Sequence, residues 1–161
     1  MHSKHMTAAR RFDPFPLDHF LFMTFFLSHD KLGKTECPYL ERWVMNFGIF
    51  SLRLHHWMAS DDLRHFHDHP WWYISWIIKG SYIDRSPNGD ILRKRWSVAS
   101  YKALHRHSVI ISQPCWSLLL TGSESRIWGF WVNGRFRKRN KYFFIFGHHP
   151  CENNNNRLLH K

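Results

Sequence analysis

The sequence predicts an all-β domain built from short antiparallel strands. From Tyr39 onward the apolar residues alternate with polar ones or run in short blocks, which is the pattern of strands rather than helices. Turn residues such as Gly80, Gly122, Gly129 and Gly134 separate these blocks. The 161 residues suffice for one domain with a substantial core, and no linker or internal repeat divides residues 1–161. Short strands with close turns indicate a sandwich or closed barrel.

The N-terminal part is the exception to this pattern. Residues 1–12 have the composition of a loose basic arm, and DPFP at 13–16 marks a turn before a predicted short helix over Leu17–Ser28. The apolar run Phe20–Leu27 imitates a signal peptide, but Thr24 interrupts it and no small-residue cleavage site follows. It is also far shorter than the roughly 20 residues of a membrane span. We therefore interpret it as a core segment and expect no membrane partner.

Eight later segments have the composition of strands. They are Trp43–Ile49, Phe50–Met58, Trp71–Ile78, Tyr82–Arg85, Arg93–Val98, Ser108–Ile111, Trp116–Thr121 and Ile127–Val132. SPNGD at 86–90 is the clearest hairpin turn, because Asn-Gly supplies the positive φ angles of a tight turn. A basic C-terminal tail follows, and the asparagine run predicts disorder over 152–161.

The charge balance favours acidic partners. A formal net charge of +11 attracts phosphate-rich molecules such as nucleic acid. The run RFRKRNK and the aromatic residues after it suggest contacts to single-stranded nucleic acid, because such proteins combine basic and stacking side chains. The alternative is solvated surface, since the aromatic residues form a separate block. The residues concerned are Arg135, Arg137, Lys138, Arg139 and Lys141.

The three cysteines are widely spaced, with no CxxC pair, and predict neither a disulfide framework nor a zinc ribbon. A reducing, cytoplasmic setting fits this pattern best. Cys115 is expected to be a small buried hydrophobe rather than a nucleophile. His148, His149 and Cys151 lack a second Cys/His pair and are a weak metal-site candidate.

Two histidine clusters carry the chemical signal. In RHFHDHPWWYISWIIKG, His65, His67 and His69 share one face of an extended chain, and His105 and His107 are again two residues apart in LHRHSVI. Imidazoles at i and i+2 can reach one cation at about 2.0–2.2 Å, with a further ligand from another strand. The alternative for a histidine-rich chain is coincidence or surface.

The motifs resemble those of the cupin superfamily, which are small jelly-roll β-barrels. His67-Asp68-His69, then Tyr73 and Gly80, reproduce the spacing of the first cupin motif. HDHPW, the HR pair at 105–106, CWSLLLTG and RIWGFW are similar to a group of small single-domain cupins of bacteria and their phages that has no agreed reaction. The resemblance covers residues 38–132 and implies a cupin-like barrel there.

The resemblance also implies a divalent metal, either Fe, Ni, Zn or Mn, held by His67, His69 and His105. Tyr73 stands where the family has an acidic ligand, and a phenol with an ordinary pKa of about 10 is a poor replacement for a carboxylate. Three neutral imidazoles still bind such metals and leave positions open. A metal-free pocket is the alternative.

Further residues are candidates for substrate binding. We expect Trp71, Tyr73 and Trp128 to line the pocket with His107, although tryptophans, Trp116 included, are more often simply core. Arg126 is a candidate anchor for an anionic substrate, with an ion pair as the alternative. Two acids, Glu41 and Asp68, are candidates for orienting ligand histidines; a turn role before Pro70 is equally compatible with Asp68.

Two functional classes remain open from the sequence. The first is a metal-dependent dioxygenase, hydrolase or isomerase acting on a small anionic molecule. The second is a non-catalytic module of the same fold that binds a small ligand or, through its basic face, nucleic acid. A phosphate-binding loop and a Gly-x-Ser-x-Gly elbow are both absent. Pairing of two copies is a further expectation, because cupins often form homodimers.

Overall fold

A computed structural model of the chain describes residues 26–148. Twelve strands and one helix lie in this range. In chain order they are β1 Phe26–Lys34, β2 Cys37–Asn46, β3 Phe50–Trp57, β4 Phe66–His67, β5 Tyr73–Lys79, β6 Ser81–Ser86, β7 Gly89–Lys94, β8 Val98–Tyr101, β9 Ser108–Ile110, β10 Cys115–Gly122, β11 Gly129–Val132, β12 Arg135–Lys138 and α1 Arg139–Phe146. The predicted all-β class is therefore confirmed.

The strands form two layers. One is a six-stranded antiparallel sheet in the order β1-β2-β3-β10-β5-β8. The other consists of two three-stranded sheets, β12-β11-β4 and β7-β6-β9. A single antiparallel bridge between His67 and His107 connects these two smaller sheets. The histidine clusters of the sequence therefore lie in the middle of the second layer.

The core lies between the layers, because alternate residues of each strand point inward. One cluster joins Leu40, Trp57 and Ile77 of the large sheet to Tyr82 and Val109 of the smaller one. A second cluster contains Trp71, Tyr73, Tyr101 and Leu119, of which the last three belong to strands β5, β8 and β10 of the large sheet. The space between the two layers also contains the cavity described below.

Two hairpins depend on residues that adopt positive φ angles. The predicted SPNGD turn joins β6 to β7, with Ser86 paired to Gly89 at a φ of 117°. A second Asn-Gly turn, which the sequence interpretation did not assign, joins β11 to β12, with φ of 49° at Asn133 and 75° at Gly134. In this second turn both central residues are at positive φ, the signature of a type I′ hairpin, whereas in SPNGD the central residues are Pro87 and Asn88 and only Gly89 after them has a positive φ.

The predicted N-terminal helix is wrong where the structure tests it. Residues 26–28 begin strand β1, which pairs with β2 from Phe26 opposite Asn46 to Lys34 opposite Cys37. Pairing with a neighbouring strand overrides the helical appearance of the apolar run. The basic arm and residues 17–25 of the predicted helix lie outside the described residues.

The basic tail is also corrected where it is described. Residues 135–138 form β12, and the helix α1 follows directly. Tyr142 anchors this helix, because its fully buried ring stacks on Phe130 at 3.7 Å and its hydroxyl contacts Asp62 and His65. The tail predicted for 152–161 lies outside the described residues, as do His149 and Cys151.

The cysteines differ from the sequence expectation. Cys115 is free and fully buried, which confirms its predicted place as a small core residue. Cys37 is disulfide-bonded, although no disulfide was expected. Because disulfides are typical of oxidising compartments, the cysteines no longer support a cytoplasmic location, which stays a prediction. Within the described range, no helix has the length and apolar character needed to cross a bilayer.

Candidate metal centre

The backbone positions the two central histidines through a reciprocal pairing. The His67 amide donates to the His107 carbonyl at 3.0 Å, and the His107 amide donates to the His67 carbonyl at 2.9 Å. In such a pair the two side chains leave the sheet on the same face. Both imidazoles consequently point into the space between the layers, and both residues are buried.

The third imidazole belongs to His69, which lies two residues after the end of β4. Its amide donates to the Ala103 carbonyl at 3.1 Å, and its carbonyl accepts from Arg126 Nη1 at 3.1 Å. Its ring stacks on Trp71 with 4.7 Å between centroids and 14° between planes. The backbone contacts and the stacked ring together fix the direction of the His69 imidazole.

The three imidazoles converge on one point. One nitrogen from each of His67, His69 and His107 lies within 4.8 Å of the others. Nε2 of His69 is 2.9 Å from Nε2 of His107, and the Tyr73 hydroxyl is 3.3 Å from the same His107 atom. At most one proton can lie between two imidazole nitrogens, so this contact brings together lone pairs of the kind that ligate a cation.

Asp84 determines which nitrogen of His107 faces this point. Its Oδ1 lies 2.8 Å from His107 Nδ1, so an ionised carboxylate requires the proton to be on Nδ1. Nε2 is then an unprotonated acceptor. A carboxylate behind a ligand histidine is a common arrangement in metal sites, where it sets the tautomer and raises the basicity of the ligand.

The Asp84 carboxylate has two further partners. Tyr101 donates its hydroxyl to Oδ2, and His105 Nε2 lies 3.6 Å from the same oxygen. Burial acts to raise the pKa of Asp84, but the neighbouring imidazoles of His105 and His107, of which His107 is hydrogen-bonded to the carboxylate, outweigh it and hold the pKa well below its ordinary value. Asp84 is therefore ionised at neutral pH.

A second carboxylate lies behind His67. Asp61 Oδ2 is 3.1 Å from His67 Nδ1, and both residues are buried. The two atoms lie at ion-pair distance without hydrogen-bond geometry, and a carboxylate at this distance favours the proton on Nδ1 of His67. Two of the three histidines thus have a carboxylate on the side away from the cluster.

Burial keeps the imidazoles of His67 and His69 uncharged. It lowers the pKa of His67, and it lowers the pKa of His69 well below the ordinary value, with His67 adding to the effect on His69. Burial also raises the pKa of Tyr73 well above 10. The two imidazoles are therefore neutral and the Tyr73 phenol keeps its proton near pH 7.

The cluster forms one wall of a cavity of about 230 Å³ between the two layers. Trp71, Tyr73 and Trp128, three predicted pocket residues, line this cavity together with His107. Trp116 lies elsewhere, stacked on Trp43 and His56. The cavity is smaller than the roughly 300–1,000 Å³ of pockets for drug-sized ligands, which indicates a compact ligand.

The remaining predicted residues lie outside this cluster. His105 belongs to a second group, with Asp84 and His107. Arg126 binds the fully buried Asp68 at 2.9 Å and does not line the cavity. Asp68 also accepts from the Gly129 amide and the Trp131 indole, so it fixes β4 against β11. His65 contacts Tyr142 of α1.

Glu41 and the basic run lie further away. Glu41 pairs with His29, Lys31 and His56 rather than with a cluster histidine. Of the five basic residues at 135–141, Arg139 lines the cavity, with its guanidinium 5.5 Å from the Trp128 ring centroid. The side chains of Arg135, Lys138 and Lys141 are exposed.

Sequence reasoning missed Asp84, Asp61 and His55. Asp84 is the inward-facing acid of the β6–β7 hairpin, and Asp61 lies in the loop before β4. His55 alternates with outward-facing residues on β3 and lines the cavity. The inward positions of Asp84 and His55 depend on which face of each strand is buried, and the position of Asp61 depends on the path of the loop before β4; neither can be read from local sequence.

No protein-family model and no curated protein matches this sequence. A solved structure of Fe(II) HppE has a similar fold, with a TM-score of 0.51 and 6% identity over 59% of this chain. The match spans 56% of HppE, little more than half of that chain.

Two further solved structures are similar to this chain. The first is an RmlC-like cupin from Shewanella frigidimarina, with a TM-score of 0.49 and 10% identity, and the match covers 62% of this chain and 86% of that one. The second is a cupin-superfamily sugar phosphate isomerase from Silicibacter pomeroyi, with a TM-score of 0.49 and 10% identity, and the match covers 71% of this chain and 89% of that one. At these identities the likeness concerns the fold alone. Both of these structures are described as cupins, the family that the histidine motifs resemble.

Proposed function

We propose that the protein binds one divalent metal ion through His67, His69 and His107 and acts on a small molecule held in the adjoining cavity. The observation that carries this proposal is the buried convergence of three imidazoles with carboxylates behind two of them. This donor set fits a transition metal, because imidazole nitrogens suit Fe, Ni and Zn. Ca and Mg prefer oxygen ligands, and these three ligands are all nitrogens.

His107, rather than His105, supplies the third ligand in this proposal. His105 Nε2 is directed at Asp84, whose oxygens already accept from His107 and Tyr101. His107 Nε2 instead faces His69 across 2.9 Å. The Asp84 carboxylate therefore acts as an orienting group in this arrangement.

The surrounding side chains define what the cavity does to a ligand. When bound, the metal supplies Lewis-acid activation of water, oxygen or a substrate carbonyl. Tyr73 remains protonated and is placed to donate a hydrogen bond to a ligand beside His107. Trp71 and Trp128 exclude water from the ligand. Three reaction classes fit this arrangement: dioxygenation, hydrolysis or isomerisation of a compact substrate.

Metal analysis by mass spectrometry tests the proposal. Protein purified without an affinity tag is loaded with Fe(II), Ni, Zn or Mn and then dialysed. We expect about one equivalent in wild type, its loss in His67→Ala and His107→Ala, and its retention in His105→Ala. His29→Ala, an exposed histidine, is the control. Wild type that retains none of the four metals, or His107→Ala that retains one equivalent, would contradict the proposal.

We also propose that the basic run binds single-stranded nucleic acid. The favouring observation is that Arg135, Lys138 and Lys141 project from β12 and α1 with exposed side chains, beside a Phe144 side chain that is 90% exposed. Exposed cations and a free aromatic ring are the two elements of sequence-tolerant binding to single strands. This surface does not need the metal centre, so the two proposals are independent.

A further inference from the structure

Three inward-facing basic side chains lie on the six-stranded sheet beside the metal centre. Arg42 of β2 is directly opposite His55 of β3, and Arg53 precedes His55 by two residues on the same face. All three line the cavity that also contains the His67 cluster. A sandwich interior rarely accepts such groups without partners, since buried charge is costly unless it is compensated.

His55 has no hydrogen-bond partner among the described residues. His55 is only 7% exposed, and both of its ring nitrogens are buried and unpaired. Burial, with the charges of Arg42 and Arg53, lowers the pKa of His55 to about 3, so the ring is neutral. A neutral imidazole offers one N–H donor and one acceptor, and here both are available to a ligand in the cavity.

Arg53 has its guanidinium available as well. The group lies 4.7 Å from the centroid of the Trp71 ring, and Nε donates to Thr121 Oγ1 at 3.3 Å. Within residues 26–148, no carboxylate lies at ion-pair distance from it. Burial lowers its pKa to about 10, which leaves Arg53 charged at neutral pH.

The charges facing the cavity sum to a positive value. Arg42 is paired with Asp30 at the edge of the sheet, at 3.2 Å. Arg139 lines the opposite side, and Glu124 is the acidic residue among the lining side chains. Three arginines therefore face one carboxylate, and two of them, Arg53 and Arg139, have no ion-pair partner among residues 26–148.

We propose that Arg53, Arg42 and His55 form a subsite for the oxyanion group, a carboxylate or a phosphate, of a small ligand. The planar guanidinium of Arg53 binds two oxygens of such a group, and the neutral His55 donates a hydrogen bond. The identification of this ligand as the substrate rests on the proposed function, whereas anion binding itself requires no metal.

Trp71 connects the subsite to the metal centre. One indole ring contacts both the Arg53 guanidinium and the His69 imidazole. An anion bound at Arg53 is therefore one indole ring away from His69 of the cluster. This geometry suits a compact acid that carries its reacting group a few bonds from the oxyanion.

Isothermal titration calorimetry on chelator-stripped protein tests the subsite. The probes are malonate and inorganic phosphate, with uncharged malonamide as the control ligand. We expect wild type to bind at least one of the two anions and not malonamide. Arg53→Met keeps a side chain over Trp71 but removes the charge, and it should weaken anion binding at least tenfold. His55→Leu should weaken it severalfold, and Arg85→Met, on the β6–β7 hairpin, should leave it unchanged.

Two readouts separate the subsite from the metal proposal. Arg53→Met should retain one equivalent of metal, whereas His107→Ala should lose the metal and still bind the anion. If wild type binds neither anion, or if a folded Arg53→Met binds like wild type, the subsite is refuted. Arg53→Lys serves as a second variant if Arg53→Met does not fold, because it keeps the charge and should show weakened binding through loss of the two-oxygen contact.

Discussion

His67 and His107 exchange both of their backbone hydrogen bonds, at 3.0 and 2.9 Å, and their side chains meet on the cavity side of the same bridge. This bridge is the point where the two smaller sheets join. The positions of His67 and His107 therefore depend on main-chain pairing, whereas His69 lies two residues beyond β4. Paired backbone of this kind suits a site whose ligand atoms must be held within fractions of an ångström.

Replacing Asp84 tests its orienting role. Asp84→Asn removes the carboxylate charge that favours the proton on His107 Nδ1, so we expect metal affinity to fall by about 10–100-fold. Chelator competition measures the affinity. Asp90→Asn, on the same hairpin but exposed, should have no effect. Equal affinity in Asp84→Asn and wild type would show that Asp84 does not act through His107.

Stability should fall in acid because His55 is neutral in the fold. Its pKa is about 3 when folded, against 6.5 when unfolded, so the unfolded chain binds the additional proton between these values. The contribution of His55 is complete above pH 6.5 and decreases by up to about 1.4 kcal/mol per pH unit below it. Urea unfolding of the metal-free protein between pH 7 and 4.5 measures this dependence.

The matched variant for this measurement is His55→Gln, which does not titrate. Its unfolding free energy should depend less steeply on pH than that of wild type over the same window. The histidines His67 and His69, whose pKa values are also lowered, contribute the acid dependence that remains. Identical slopes for wild type and His55→Gln would show that His55 is not buried as described.

Tyr142 should be the residue on which helix α1 depends. Its ring is fully buried against Phe130, so Tyr142→Ala should lower the free energy of unfolding by about 3–5 kcal/mol. Phe144→Ala on the same helix removes a ring that is 90% exposed and should change it by less than about 0.5 kcal/mol. Chemical denaturation followed by circular dichroism provides both values, and similar losses would contradict this packing.

The nucleic-acid proposal predicts a dependence on salt. Neutralising Arg135, Lys138 and Lys141 to glutamine should weaken binding to single-stranded DNA and reduce the slope of log K against log salt by about 2, since each phosphate contact contributes roughly 0.7. Fluorescence anisotropy at several salt concentrations measures the slope. The charge-matched control replaces Lys34, Lys79 and Lys94, which are also exposed. Equal effects of both triple variants would indicate nonspecific attraction to a basic protein.

The strand pattern and the first histidine cluster could be predicted from the sequence, because both depend on local periodicity. Alternation identifies strands and places His67 and His69 on one side of the chain. The N-terminal strand could not be predicted, because Phe26–Ser28 becomes extended only through pairing with β2. The local composition of this run does not indicate which distant strand it pairs with.

The choice between His105 and His107 was beyond sequence reasoning for a similar reason. The two histidines are two residues apart in the sequence, and each of them contacts Asp84 in the fold. The bridge to His67 turns His107 toward His69, and this bridge joins residues 40 positions apart in the chain. Asp84 itself comes from a hairpin whose inward face is defined only by the assembled layers.

The shared indole of Trp71 has a consequence for any attempt to redesign this pocket. Because the same ring contacts both His69 and Arg53, a substitution there would disturb the proposed metal centre and the proposed anion subsite at once. A change in ligand selection that leaves these two contacts intact is better placed at Arg139, whose guanidinium lines the cavity over Trp128.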